Sequence, residues 1–106
     1  MNASERKNIT NLAQKIIDGS INIIEGCRQI SSLKIEKEMR DNSDFLIIRG
    51  FESETDEYPL GIVRKNYNQE SLRKLDKEIM TYLNESKPVI LEACKNLIKK
   101  YGNSNV

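Results

Sequence analysis

Seven consecutive residues carry most of the side-chain chemistry of this chain: Glu52, Ser53, Glu54, Thr55, Asp56, Glu57 and Tyr58. Four carboxylates this close together can be built into an acid–base pair or a hard-cation site. Acid–base work requires one carboxyl to be desolvated and its pKa raised. Nothing in the neighbouring sequence signals that burial. A calcium loop of the EF-hand type requires Gly at its sixth position and Glu at its twelfth, and the spacing here does not match. A third use of clustered carboxylates is to steer and hold a basic partner. The hydroxyls of Ser53, Thr55 and Tyr58 supply hydrogen bonds that shape such a surface. "FLIIRGF" (45–51) and "YPLGIV" (58–63) should anchor its ends. Asp41 and Asp44, just upstream, complete the partner-binding set. The plain alternative is a solvated acidic loop. Arg28 and Arg64 are each candidates to reach an acid of residues 52–57 and order it.

What is missing narrows the chemistry further. The chain has no histidine, which removes every dyad or triad with an imidazole base and every His-rich metal site. Its two cysteines, Cys27 and Cys94, lie in apolar-periodic stretches rather than in a Cys-x-x-Cys pair. They are expected to be buried free thiols in a reducing compartment. The five glycines are scattered and form no phosphate-cradling loop. The expectation is a protein that is not an enzyme and has no catalytic residue, metal or cofactor.

Seventeen basic residues against sixteen acidic ones give a net charge of +1. A nucleic-acid binder generally shows a clear basic excess, so nucleic acid is not an expected partner. The distribution is polarised. Between Asp41 and Glu57 six acids face Arg49 alone, a local charge of −5 that leaves +6 for the rest of the chain. No stretch approaches the ~20 apolar residues of a membrane span. "MNASERKNIT" lacks the apolar core of a signal peptide. A cytoplasmic location is expected, and the oligomeric state is left open.

The elements that position these residues read as mainly helical. Ser4–Asp18 carries an apolar stripe of Ile9, Leu12, Ala13, Ile16 and Ile17, and Gly19 ends it. Ser20 is placed to cap a second helix starting near Ile21, with Ile23, Ile24, Cys27 and Ile30 facing inward. Gly26 within it suggests close approach of the first helix. The segment up to Arg40 is either an extension of that helix or a second short one. "RDNSD" (40–44) is turn chemistry. "FLIIRGF" reads as a buried strand or a short helical turn, and Leu60, Ile62 and Val63 as a returning strand. Asn68 is placed to cap a long helical stripe that keeps its phase past Pro88. Either one kinked helix or two helices satisfies that pattern. Gly102 stops it before a frayed "NSNV" tail. The predicted fold is a single helical domain over residues 1–106. It is a small bundle of about four helices with an irregular or β-hairpin-like insertion in the middle third.

Three segments together, "EGCRQISSL" (25–33), "SDFLIIRGFESETDEYPLG" (43–61) and "VRKNYNQESLRKLDKEI" (63–79), resemble a family of short uncharacterised bacterial proteins. Its members share an E-G-C-R-x-[IL]-x-x-L stretch and an S-E-T-D-x-x-P-x-G stretch followed by an arginine. The resemblance runs from about Ile17 to Ile98. The chain departs from it at Tyr67, where Trp is expected, and at Pro88. Proteins of this size and kind are often immunity proteins of bacterial toxin systems, including contact-dependent growth inhibition. The resemblance therefore implies a toxin domain as partner, frequently a basic nuclease, with the acidic face covering its positive active site. A helical regulatory or self-assembling protein, or a carboxylate-based metal or small-molecule binder, are the alternatives.

Overall fold

In a computed structural model that describes residues 3–35 and 37–102, the chain is helical throughout. The elements are α1 (Ala3–Asp18), α2 (Ile23–Ser32), α3 (Lys37–Arg40), α4 (Ser43–Thr55), a 3₁₀ turn (Gly61–Asn66) and α5 (Gln69–Tyr101). The expected tail after Gly102 lies outside the described residues. α1 packs on α2 and α5, and α4 packs on α2 and α5, so four helices close a ring, with α3 resting against α4. Each contributes one face to a shared core. Ile9, Ala13 and Ile16 come from α1, and Ile24, Cys27 and Ile30 from α2. Phe45, Ile48 and Phe51 come from α4, and Ile90, Ala93, Cys94 and Leu97 from α5.

Local chemistry explains most boundaries. Gly19, at φ +74°, closes α1 in a Schellman turn: Ser20 N–H donates to Lys15 O at 3.0 Å and Gly19 N–H to Ile16 O at 3.2 Å. Ser20 is not the cap of α2. Asn22 is, its Oδ1 accepting from the amides of Ile24 and Glu25, which moves the start of α2 to Ile23. A Cβ on Gly26 would collide with Cγ1 and Cδ1 of Ile16, so the expected close approach to α1 is real. The segment up to Arg40 is a separate short helix, α3. Asn68 caps α5 as expected, accepting from Glu70 and Ser71 N–H. Pro88 lies inside α5, which is one helix and not two.

The expected hairpin is not seen; among the described residues there is no strand. Residues 45–55 are helical because Phe45, Ile48, Phe51 and Thr55 recur at spacings of three, three and four, and all four are buried. Leu46 and Ile47, which made the run look strand-like, point outward. Asn42 starts the helix, accepting from Asp44 N–H at 2.9 Å and Phe45 N–H at 3.0 Å. The supposed return strand is the 3₁₀ turn, and its Ile62 and Val63 are exposed.

Helix lengths do not match. α5 has 33 residues, about 50 Å at 1.5 Å per residue, whereas α1 has 16, about 24 Å. The molecule accordingly measures 51 × 24 × 24 Å. The C-terminal half of α5 sits in the core, and its N-terminal half carries the connector after α4.

Candidate functional site

The acidic segment is mostly the C-terminal end of a helix. α4 ends at Thr55, and Asp56 and Glu57 turn the chain toward Pro59. Glu52, Glu54, Asp56 and Glu57 thus crowd the end of α4 where its unpaired carbonyls already make the potential negative. No basic residue lies in its last turn. The missing cation comes from α2. Arg28 Nη2 donates to the carbonyls of Thr55 and Tyr58, both at 2.7 Å, and more weakly to that of Asp56 at 3.4 Å. Thr55 is buried, and its Oγ1 donates back to Phe51 O at 2.9 Å.

A second cluster holds the connector on α5. Tyr58 Oη donates to Asp76 Oδ1 at 2.5 Å, and Arg64 Nη2 donates to both Asp76 oxygens, at 3.0 and 2.8 Å. Arg64 Nη1 donates to Pro59 O at 3.2 Å, and its guanidinium lies 5.8 Å from the centroid of the Tyr58 ring. The hydrogen bond from Arg64, followed by that from Tyr58, holds the Asp76 carboxyl below its ordinary range. Burial, then the bond to Asp76, pushes the Tyr58 hydroxyl up. Neither Arg28 nor Arg64 forms its principal contact with a carboxylate of residues 52–57. Both order that segment by other routes, Arg28 through backbone carbonyls and Arg64 through α5.

Between these two pins lies an open groove of about 1000 Å³. One wall is Glu25 and Arg28 of α2 with residues 54–57; the other is Leu75, Glu78, Ile79 and Tyr82 of α5. Tyr58, Pro59, Leu60, Val63 and Tyr67 form its floor and end. Phe51 backs the α5 wall, stacked on Tyr82 at 5.6 Å between ring centroids. Five carboxylates and one guanidinium give the lining a net charge of −4. Burial pushes the Tyr82 hydroxyl up, and nearby Glu54 adds to the shift, against a lowering hydrogen bond with Ser86.

The nine residues singled out from the sequence divide. Glu54, Thr55, Asp56, Glu57 and Tyr58 line the groove, Thr55 as a buried support. Glu52 and Ser53 lie on α4 outside the lining. Asp41 and Asp44 sit at the opposite end of α4, about 15 Å from Glu54 along the helix axis. Asp44 accepts from Asn96 Nδ2 at 3.0 Å. Glu25, Glu78 and the apolar stripe Leu75–Ile79–Tyr82 were not foreseen as site residues. The stripe reads as core, yet its length is a clue: among the described residues no other helix runs as far as α5.

A family model described as "Protein of unknown function (DUF2489)" matches residues 1–97. The chain belongs to the DUF2489 family. No curated protein and no solved structure matches it. In this DUF2489 chain the two quoted motifs meet in space: Arg28 of "EGCR" holds the carbonyls that close "SETDEY".

Cys27 and Cys94 are free and buried, and burial pushes both thiols up to about 12, which leaves them protonated and unreactive near neutrality. Among the described residues no three His, Cys, Asp or Glu side chains are grouped to hold a metal ion, and no helix is long and apolar enough to cross a membrane.

Proposed function

We propose that this chain is a non-enzymatic binding protein whose groove receives a basic surface of a protein partner. The observation that carries this reading is the pairing of an apolar floor with a rim of net charge −4, fixed in place by Arg28 and Arg64. Apolar burial supplies affinity, and the acids supply association rate and selectivity. Ser53 and Thr55 shape the end of α4, Thr55 as a buried support of the groove lining. In its most specific form the protein is a cytoplasmic immunity protein that neutralises a basic bacterial toxin domain, such as a nuclease, by covering its active surface. That form rests on the motif resemblance.

The test is association kinetics with the product of the gene immediately upstream. The reading expects a stoichiometric complex whose on-rate falls steeply with salt. Glu54→Lys with Asp56→Lys should slow association and flatten the salt dependence. An on-rate at low salt that the double variant leaves unchanged would sink electrostatic docking.

A further inference from the structure

We infer that the groove's occupant is an amphipathic helix with cations on both flanks of an apolar ridge, laid alongside the N-terminal half of α5. The inference rests on the binding reading above and specifies the chemistry of the partner. Leu75, Ile79 and Tyr82 follow one another at i, i+4 and i+7, the spacing with which one helix receives another. Farther along α5 the stripe continues through Ile90, Ala93, Cys94 and Leu97, where α1 and α4 cover it. Over residues 75–82 the stripe is only half-buried: Ile79 and Tyr82 touch the core and Phe51 of α4 stacks on Tyr82, and the remaining surface lines the groove.

The backbone chemistry points the same way. Among the described residues there is no strand, so an extended peptide finds no sheet edge to pair with. A helix arrives with its own amides and carbonyls satisfied. Charge then fixes the pattern. Glu54, Asp56 and Glu57 reach the lining from the end of α4 and the turn after it, and Glu78 reaches it from α5. A helix between them meets carboxylates on both sides of its apolar face. A uniformly basic surface would satisfy the rim and leave the half-buried Leu60, Leu75 and Ile79 without an apolar partner in the groove. A purely apolar helix would leave the rim unpaired.

The probe is a synthetic peptide of about 18 residues, built from leucine and lysine with leucines at helical spacing. Its control has the same composition scrambled to destroy the apolar face. Each is titrated calorimetrically into the full chain. The amphipathic peptide should bind roughly tenfold or more tightly than the scrambled one, because only it brings its leucines to the floor together. Glu54→Lys with Glu78→Lys, both exposed positions, should cost about tenfold or more, and Asp41→Lys with Asp44→Lys should cost little. Equal binding of the two peptides would overturn the helical occupant and leave a basic partner standing. Failure of both to bind would overturn that partner as well. Sedimentation of the chain alone supplies the remaining arm: a dimer dissociated by Glu54→Lys with Glu78→Lys would show a second copy in the groove and overturn the inference.

Discussion

The two ends of α4 carry the same kind of side chain in opposite electrostatic settings. At the N-terminal end Asp44 lies in the first turn, where the helix dipole favours an anion, and accepts from Asn96. Folding alone accounts for it. At the C-terminal end Glu52, Glu54, Asp56 and Glu57 add negative charge to a terminus that is already negative, and the last turn of α4 holds no cation. Arg28 has to reach across from another helix to hold the exposed carbonyls. Helix stability disfavours acids here, and the apolar groove opens here too. Residues placed against local stability are most economically explained by use, since binding surfaces are where stability is commonly given up.

The sharpest way to break this contrast is to remove the borrowed cation. Arg28→Ala should destabilise the fold by about 2–3 kcal/mol, because a charged donor to two partly buried carbonyls is lost and those acceptors are left unpaired. Arg28→Lys should recover only part, since one ammonium cannot follow the guanidinium's reach to Thr55 and Tyr58 together. Urea denaturation midpoints at constant slope measure both. A loss below about 0.5 kcal/mol would mean that the C-terminal end needs no outside support. At the other end Asn42→Ala removes a cap from two amides and should cost about 1 kcal/mol. The ranking of the two variants is the test: the N-terminal end is closed locally, the C-terminal end through a tertiary contact.

Much of this was legible before any coordinates. The Gly19 stop, the Asn68 cap, the tight packing at Gly26 and the buried thiols each follow from one residue type in one local context. What escaped was tertiary. Taken as one element ending at Phe51, the run 45–51 leaves Thr55 out of the period Phe45–Ile48–Phe51–Thr55, and the consecutive apolar residues 45–48 look like a strand. The acids were then assigned to a loop, and Asp41 and Asp44 to the same surface, although a helix of 13 residues separates the two groups. Arg28 was recognised as a partner for the segment but aimed at its carboxylates. That its real acceptors are carbonyls follows from a helix ending there, which the strand reading hid. The groove depends on α5 outreaching its neighbours, a fact about assembly that no single stripe displays.

Charge reversal tests the same contrast with smaller and opposite signs. Glu54→Lys and Glu57→Lys each place a cation near the carbonyl end of α4 and should stabilise the fold by about 0.3–1 kcal/mol at low salt, less as salt rises. Asp44→Lys should destabilise by a similar or larger amount, because it opposes the dipole and loses Asn96. If all three shift stability in one direction, net charge governs and not position along the helix. If Glu54→Lys gains stability and loses the binding of a basic partner, the acid is present for the partner.

Asp76 supplies the smallest expected effect and a third setting, an acid satisfied by side chains rather than by a helix end. Its carboxyl is held below the ordinary value near 3.8 by Arg64 first and Tyr58 second. In the unfolded chain it therefore takes its proton at a higher pH than in the folded one. Its contribution to stability is complete above about pH 4 and is lost as pH falls through the depressed folded value. Asp76→Asn should accordingly make the acid limb of the stability curve shallower below about pH 4, with a small change at neutrality because solvent screens this partly exposed pair. Tyr58→Phe is the informative companion, since it removes one of the two hydrogen-bonding partners of Asp76 and keeps the carboxyl. A partial flattening of the acid limb in Tyr58→Phe would show that the Tyr58–Arg64–Asp76 cluster pins the groove by specific hydrogen bonds. An acid limb that Tyr58→Phe leaves unchanged would reduce Asp76 to one more surface charge paired with Arg64.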